Sequence, residues 1–335
     1  MPRLDALPAT IVAITRANSQ ALWGVAQVAG ETHQRPFVAY PTLTGPLGVG
    51  DAIVLNVTAT ALSLGTGGVD FVMSGPALPE SAKLGHIIKL RYTPLQHAVM
   101  ATEQALQAPL PETLDGVRVV ACLLHSQLAP VAAAAKATNP NCRVAYIMTD
   151  SAALPLGFSR LVRQLQDARL LDTTLTCGQA FGGDHECVTL PSALLVARHL
   201  EHADLIIVAP GPGNAGTGTR FGFSGIEQAW VLQVTKALGG EAICCLRASE
   251  ADPRPRHQGV SHHSRTVLGL VGGRVTAGWP KNLPLPSNLE IDFQLADPEP
   301  GLSLLVEHGI SVTSMGRNVA QDPVFFQVAA ACGCI

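Results

Sequence analysis

Through the first ninety residues, apolar and polar positions fall into short runs that favour strands. The runs are TIVAITR (10–16), QALWGVAQV (20–28), RPFVAY (35–40), AIVLNV (52–57), VDFVMS (69–74) and HIIKLR (86–91), each rich in β-forming residues. Turn chemistry separates them at Ala17-Asn18-Ser19, TGPLGVGD (44–51) and LGTGG (64–68). Short strands with glycine turns and no helical period between them predict a small barrel or sandwich.

From about residue 95 the period changes, and apolar strand-like runs alternate with longer helical segments. VRVVACLL (117–124) precedes APVAAAAKA, and RVAYIMT (143–149) precedes PLGFSRLVRQLQDARLL, where Pro155 suits a first helical turn. TTLTC (173–177) precedes a polar loop and SALLVARHLEHA. DLIIVA (204–209) precedes a glycine-rich loop and GIEQAWVLQVTKALGG, which Gly239 would close, and EAICCL (241–246) follows. This alternation is the signature of a parallel sheet covered on both faces. RVTAGWP, LEIDFQL and ISVTSMG read as strands, GLSLLVEHG and DPVFFQVAAACG as helices; they could extend the sheet or return to the β domain. The expected fold is therefore α/β: a small all-β barrel or sandwich over 1–95, then a doubly wound, mostly parallel Rossmann-like domain over 96–335.

Composition narrows the function classes. Of 335 residues, 47% are hydrophobic and 14% charged, which suits a large core and excludes disorder. A net charge of −3 gives no electrostatic reason to expect nucleic acid or an anionic membrane as partner. No secretory pattern is visible at the start, and no apolar run approaches the roughly 20 residues of a membrane span, so a cytoplasmic protein is expected. The eight cysteines form no C-x-x-C pair and read as buried free thiols.

In an open parallel sheet, ligands bind beyond the carboxyl ends of the strands. The residues that follow the predicted strands are His125, Ser126 and Gln127; Thr149, Asp150 and Ser151; Gln179, Gly182, Gly183 and Asp184; the loop GPGNAGTGTR; and Arg247, Ser249 and Glu250. Five strand ends would converge on one crevice. Each polar residue could also be a helix cap, but GQAFGGDHE and GPGNAGTGTR are longer than caps require.

Gly211, Gly213 and Gly216 spell G-x-G-x-x-G after a strand. The dinucleotide motif needs a helix that begins within the glycines and an acid about 20 residues on. Here the helical pattern starts only near Gly225, and the next strand ends in Leu246-Arg247. An anion-binding nest of backbone amides survives as the alternative, with Thr217 and Thr219 adding hydroxyls and Arg220 a bidentate grip. A tight loop built for packing is its structural counterpart.

Two further clusters stand out. In GHIIKLRYTPLQ (85–96), Lys89 and Arg91 would share one side of a strand and His86 the other; the two cations could bind an anion or form a solvated face. In DPRPRHQGVSHHSRTV (252–267), Asp252, His257, His262 and His263 could build a metal site. Adjacent histidines on one helix diverge, so a general base or proton carrier is favoured and no metal is assigned. No G-x-S-x-G elbow occurs.

GTGG (65–68), GHIIKLRYTPLQ, TDSAALPLGFSRLVRQLQDARLLDTTLTCGQAFGGD (149–184), the GPG…GTGTR loop, RHQGVSHHSRTVL and SMGRNVAQDPVFF together resemble a bacterial family, the domain of unknown function 3866 family. The resemblance spans nearly the whole chain. It implies a cytoplasmic protein and carries over no activity, cofactor or catalytic residue.

The expected function is binding of a small anionic ligand, phosphorylated or nucleotide-like, at the strand ends. Arg220 and the amides of 211–219 would hold the anion, and Asp150 with His262 or His263 would do acid–base work if the protein is an enzyme. The alternative is a non-catalytic sensor or homo-oligomeric scaffold that self-associates through the β domain. Nucleic-acid binding through that domain ranks last, because aromatics are few.

Overall fold

The computed structural model describes residues 4–64, 67–79 and 85–335. Gly65 and Thr66 of the turn predicted at 64–68 lie outside the described residues. The chain forms two compact units, Met1–Ala98 and Val99–Ile335.

The first unit is a closed five-stranded barrel. Strands β1 (Ala6–Ala17), β2 (Leu22–Val28), β3 (Arg35–Ala39), β4 (Ala52–Asn56) and β5 (Asp70–Ser74) follow one another around it in the order β1-β2-β3-β5-β4. Alternation drives the closure. Along β2 every second side chain is buried, and Leu22, Ala26 and Val28 meet Ile11, Phe37, Ile53, Leu55 and Val72 inside. β1 reaches two partners by bending at irregularities between Ile11 and Ala13 and between Ile14 and Arg16. One-turn helices α1 (Pro41–Thr44) and α2 (Thr58–Ala61) interrupt the connections. The strand expected at 86–91 shrinks to β6 (Ile87–Lys89), paired with β7 (His97–Val99), because Leu90 turns the backbone to φ +50°. Lys89 is buried on β6, whereas Arg91 lies beyond it and is exposed, so the two do not share a strand face.

The second unit opens with the short α3 (Thr102–Ala105) and builds an eight-stranded sheet in which every pairing is parallel. Its strands are β8 (Arg118–Cys122), β9 (Val144–Thr149), β10 (Thr173–Thr176), β11 (His185–Glu186), β12 (Leu205–Pro210), β13 (Glu241–Cys245), β16 (Thr276–Pro280) and β17 (Asp292–Ala296). A small ribbon, β14 (Ala248–Ser249) with β15 (Gly259–Val260), leaves the sheet after β13. The order is β11-β10-β9-β12-β8-β13-β16-β17. Residues 274–295 thus extend the sheet, whereas 310–316 contributes only a two-residue hairpin arm, Thr313–Ser314. All six residues of β9 and of β12 are buried, as covering on both faces requires.

The covering helices divide between two cores. On one face lie α4 (Leu128–Thr138), α5 (Arg160–Asp167), α9 (Glu299–Glu307) and most of α10 (Pro323–Cys334). On the other lie α6 (Leu190–Leu195), which continues as a π-helix over Val196–Leu200, α7 (Gln228–Ala237) and α8 (His262–Val271). Local chemistry sets their ends. Ser159 caps α5 by accepting the Val162 amide, so that helix begins at Arg160 rather than at Pro155, which only precedes a 3₁₀ turn. Gly239, at φ +72°, ends α7: its amide bonds the Lys236 carbonyl and that of Gly240 bonds Thr235, a Schellman closure. No helix among the described residues is long and apolar enough to cross a membrane.

Candidate functional site

The ends of β10, β9, β12, β8 and β13 are contiguous along one edge of the sheet. β8 continues through α4 on one face and β12 through α7 on the other, so their loops part above adjacent strand ends. Two buried glutamines brace this edge. Gln127 Oε1 accepts the Leu123 and Leu124 amides at 2.9 and 3.0 Å, while its Nε2 donates to the Leu246 carbonyl at 3.0 Å. Gln228 Nε2 donates to the Cys245 carbonyl at 2.9 Å.

The glycine loop after β12 folds back on itself. The Thr217 amide donates to the Gly222 carbonyl at 2.8 Å and the Ser224 amide to Ala215 at 2.9 Å, and only then does the chain enter the 3₁₀ turn Ser224–Glu227 and α7. No helix begins within the glycines, in keeping with rejection of the dinucleotide motif. Gly211 is required where it stands, since a Cβ there would meet the Ala153 carbonyl oxygen at 2.4 Å. The two threonine hydroxyls are engaged locally: Thr217 donates to the Gly222 carbonyl at 3.2 Å and lies 2.9 Å from Thr219. Gly213 and Gly218 take positive φ values, +99° and +83°.

His125 is enclosed. Its Nδ1 lies 3.1 Å from the Pro210 carbonyl and therefore carries the proton, which leaves Nε2 to accept from the Ser159 hydroxyl at 2.7 Å. Burial pushes its pKa down to about 4, against the opposing pull of that carbonyl. Ser126 occupies the 3₁₀ turn beside it.

The β9 end forms a separate group. Thr149 donates a short hydrogen bond to Glu227, whose pKa burial raises. Ser151 Oγ is buried without a well-formed hydrogen bond, yet sits close enough to Glu227 to favour its anion. Asp150 accepts the Gln179 amide at 2.8 Å and so fastens the loop after β10. Neither Asp150 nor Glu227 lines the clefts described next.

Beyond β12 and β13 the surface opens into two adjoining clefts. The inner one, about 230 Å3, is lined by Asn214, Gly216, Arg247, Arg254, Arg256 and His263 among others. The outer one, about 450 Å3, is lined by Gly218, Arg220, Arg256, His262, Arg265 and Thr266. Buried Asp252 organises the arginines: its Oδ2 accepts from Arg254 at 2.8 Å, Arg247 at 3.1 Å and Arg317 at 3.4 Å. Its hydrogen bond from Arg254, followed by the field of its neighbours, holds its pKa far below the usual carboxylate range. Burial lowers Arg247 to about 10, which still leaves it charged at neutral pH. Arg317 also meets Asp322 at 3.1 Å. Four guanidinium groups (Arg247, Arg254, Arg256, Arg317) thus face two carboxylates (Asp252, Asp322), and Arg256 has no ion pair among the described residues.

Of the residues singled out in the sequence, the second unit brings Gly216, Arg220, Arg247, His257, His262 and His263 to these clefts. His125, Thr149 and Asp150 sit at neighbouring strand ends with partners of their own, and Ser151 lies buried beside Glu227; none of the four lines the clefts. Lys89 and Arg91 belong to the first unit. Arg254, Arg256 and the His125–Ser159 pair were not singled out. The DPRPRH run held the signal for the first two, as prolines alternating with arginines hold the cations in a stiff loop.

An open, all-parallel sheet with helices on both faces and a cationic cleft at its carboxyl edge defines a Rossmann-like α/β protein, here accompanied by a β-barrel. The chain belongs to the family described as protein of unknown function DUF3866, which it matches over residues 37–333, from β3 into α10. No curated protein matches it.

Proposed function

We propose that the protein binds a small anionic ligand, bearing phosphate or carboxylate groups, in the clefts beyond β12 and β13. One observation carries the reading: Arg256 faces both clefts with no carboxylate partner among the described residues, beside a set of guanidinium groups that Asp252 and Asp322 only partly neutralise. A planar guanidinium suits a two-oxygen anion. Asp252 holds Arg247 and Arg254 in place before the ligand arrives, so less ordering is lost on binding.

A binding role without turnover is the second reading, because the described residues that line the clefts include no carboxylate to act as a base. His262 and His263 remain the candidates for proton transfer if the protein is an enzyme.

The test is ligand-induced thermal stabilisation of metal-free protein, read across inorganic phosphate, nucleotides and sugar phosphates. Arg256→Ala should weaken binding of a stabilising anion by about tenfold to a hundredfold, the equivalent of losing a charge-assisted hydrogen bond of roughly 1.5–3 kcal/mol. A parent protein that no anion stabilises would sink the proposal.

A further inference from the structure

Three imidazoles meet at the amino end of α8. His262 and His263 are its first two residues, and His257 closes the 3₁₀ turn Pro255–His257. One ring nitrogen from each lies within 4.8 Å of the other two. The ring centroids are 4.2 Å apart for His262 and His263, and 4.9 Å from each to His257. Neighbouring residues on a helix diverge, and two of them alone would make a poor site. His257 arrives from a separate turn and supplies the third corner.

The hydrogen bonding leaves nitrogens where a cation would need them. His257 Nδ1 is bound to Ser261 Oγ at 2.7 Å, which fixes the ring and leaves Nε2 as the ligand atom. Ser261 itself is held as the cap of α8, accepting the His263 amide at 3.2 Å. His262 Nε2 is buried and has no hydrogen-bond partner among the described residues, a state that asks for a partner of another kind. The His263 ring is pinned by stacking on Phe223, with centroids 3.8 Å apart and planes 9° from parallel.

We propose that His257, His262 and His263 together bind one divalent transition-metal ion of the zinc class, with its remaining coordination open to the anion cleft. Three neutral nitrogen ligands and one open position match the zinc pattern of reactive sites. Calcium and magnesium prefer oxygen, and the cluster holds none from a carboxylate. Burial, with the charges of Arg247 and neighbouring groups, keeps the imidazoles unprotonated near neutral pH, so the ligands need not first lose a proton. Zinc–imidazole bonds of about 2.0–2.1 Å place ligand nitrogens roughly 3.3 Å apart, so the rings close by about an ångström on binding.

The nearby arginines oppose a cation. Asp252 offsets Arg247 and Arg254 but not Arg256. An anion in the cleft would lower that repulsion, and metal and anion would each raise the affinity for the other. The metal site stands on the imidazole geometry; only this coupling rests on the anion reading.

The test uses the full chain stripped with a chelator and titrated with Co2+ or Zn2+ alone. Uptake of about one ion per chain is expected, with the visible spectrum of a tetrahedral Co2+ site. His257→Ala and His262→Gln should each weaken binding at least about tenfold, whereas His33→Ala on the barrel should leave it unchanged. X-ray absorption of the Zn2+-loaded parent should show three imidazole ligands and needs no variant to fold. A parent that takes up no metal, retention of full affinity in both variants, or fewer than three imidazoles on the metal would each overturn the proposal. Because the probe is metal alone, none of these results bears on anion binding, which is tested on metal-free protein.

Discussion

Single residues reveal most where backbone meets backbone. Gly278 lies on β16 under α10, and a Cβ there would come within 2.4 Å of the Ala331 carbonyl group and 2.5 Å of the Cys332 nitrogen. Neither is a side-chain tip that could swing away, so the helix itself would have to move. Gly278→Ala should therefore destabilise the protein by about 1–3 kcal/mol, the usual cost of forcing extra volume into a packed core. A urea midpoint that did not fall would mean that α10 can shift without loss. The glycine loop teaches the opposite lesson at the same scale. Thr217 and Thr219 look like anion ligands by letter, yet their hydroxyls close the loop on itself. Arg256, which stands out less, has no partner carboxylate among the described residues and faces the open cleft.

At the scale of elements, period and turn chemistry were sufficient wherever burial is simple. β8, β9 and β12 are apolar runs buried on both faces, and the alternating strands of the barrel declare their inner side. Their mutual order was not legible. β12 inserts between β8 and β9, which occur earlier in the chain, and no local pattern encodes such a choice. The strand at 86–91 failed for a local reason instead, since Leu90 takes a left-handed conformation that its residue type does not advertise. What bridges the loops beyond the ends of β8 and β13 is side-chain amide chemistry. Gln127→Leu keeps the approximate shape but leaves the buried Leu123 amide and the part-buried Leu124 amide without an acceptor. At about 1–3 kcal/mol for each orphaned group, the loss should be at least roughly 2 kcal/mol. Gln127→Glu, which still accepts both bonds, should recover part of it; equal losses in the two variants would show that the amide bonds are not what matters.

For the molecule as a whole, the candidate site was half legible. The rule that ligands gather at strand ends pointed to the edge of the sheet where the clefts open, and the GPGNAGTGTR and SHHSRT segments border them. The pairing of Asp252 with Arg317 across 65 residues, which helps gather the arginines, follows from tertiary structure alone. The same clustering has a consequence for stability that no single residue carries. Burial holds His125 and His257 near pKa 4 and His263 near 3, with the arginine field adding to it for the last two. In the unfolded chain each histidine titrates near 6.5. Between about pH 6.5 and 4 the unfolded state therefore binds more protons than the folded one, and stability must fall as the solution is acidified. Each histidine contributes up to roughly 1.4 kcal/mol per pH unit inside that window. Glu227 works against them, because its raised pKa favours the folded state as it takes up a proton. Asp252 adds its loss only lower still, below the ordinary carboxylate pKa. Denaturation midpoints measured from pH 7.5 to about 4 should thus decline most steeply below pH 6.5, and His125→Gln should flatten the decline if the variant folds. Zinc bound to the other two histidines should steepen it, since protons then compete directly with the metal for their nitrogens. A midpoint constant across this range would mean that the buried imidazoles take up protons in the folded protein as easily as in water.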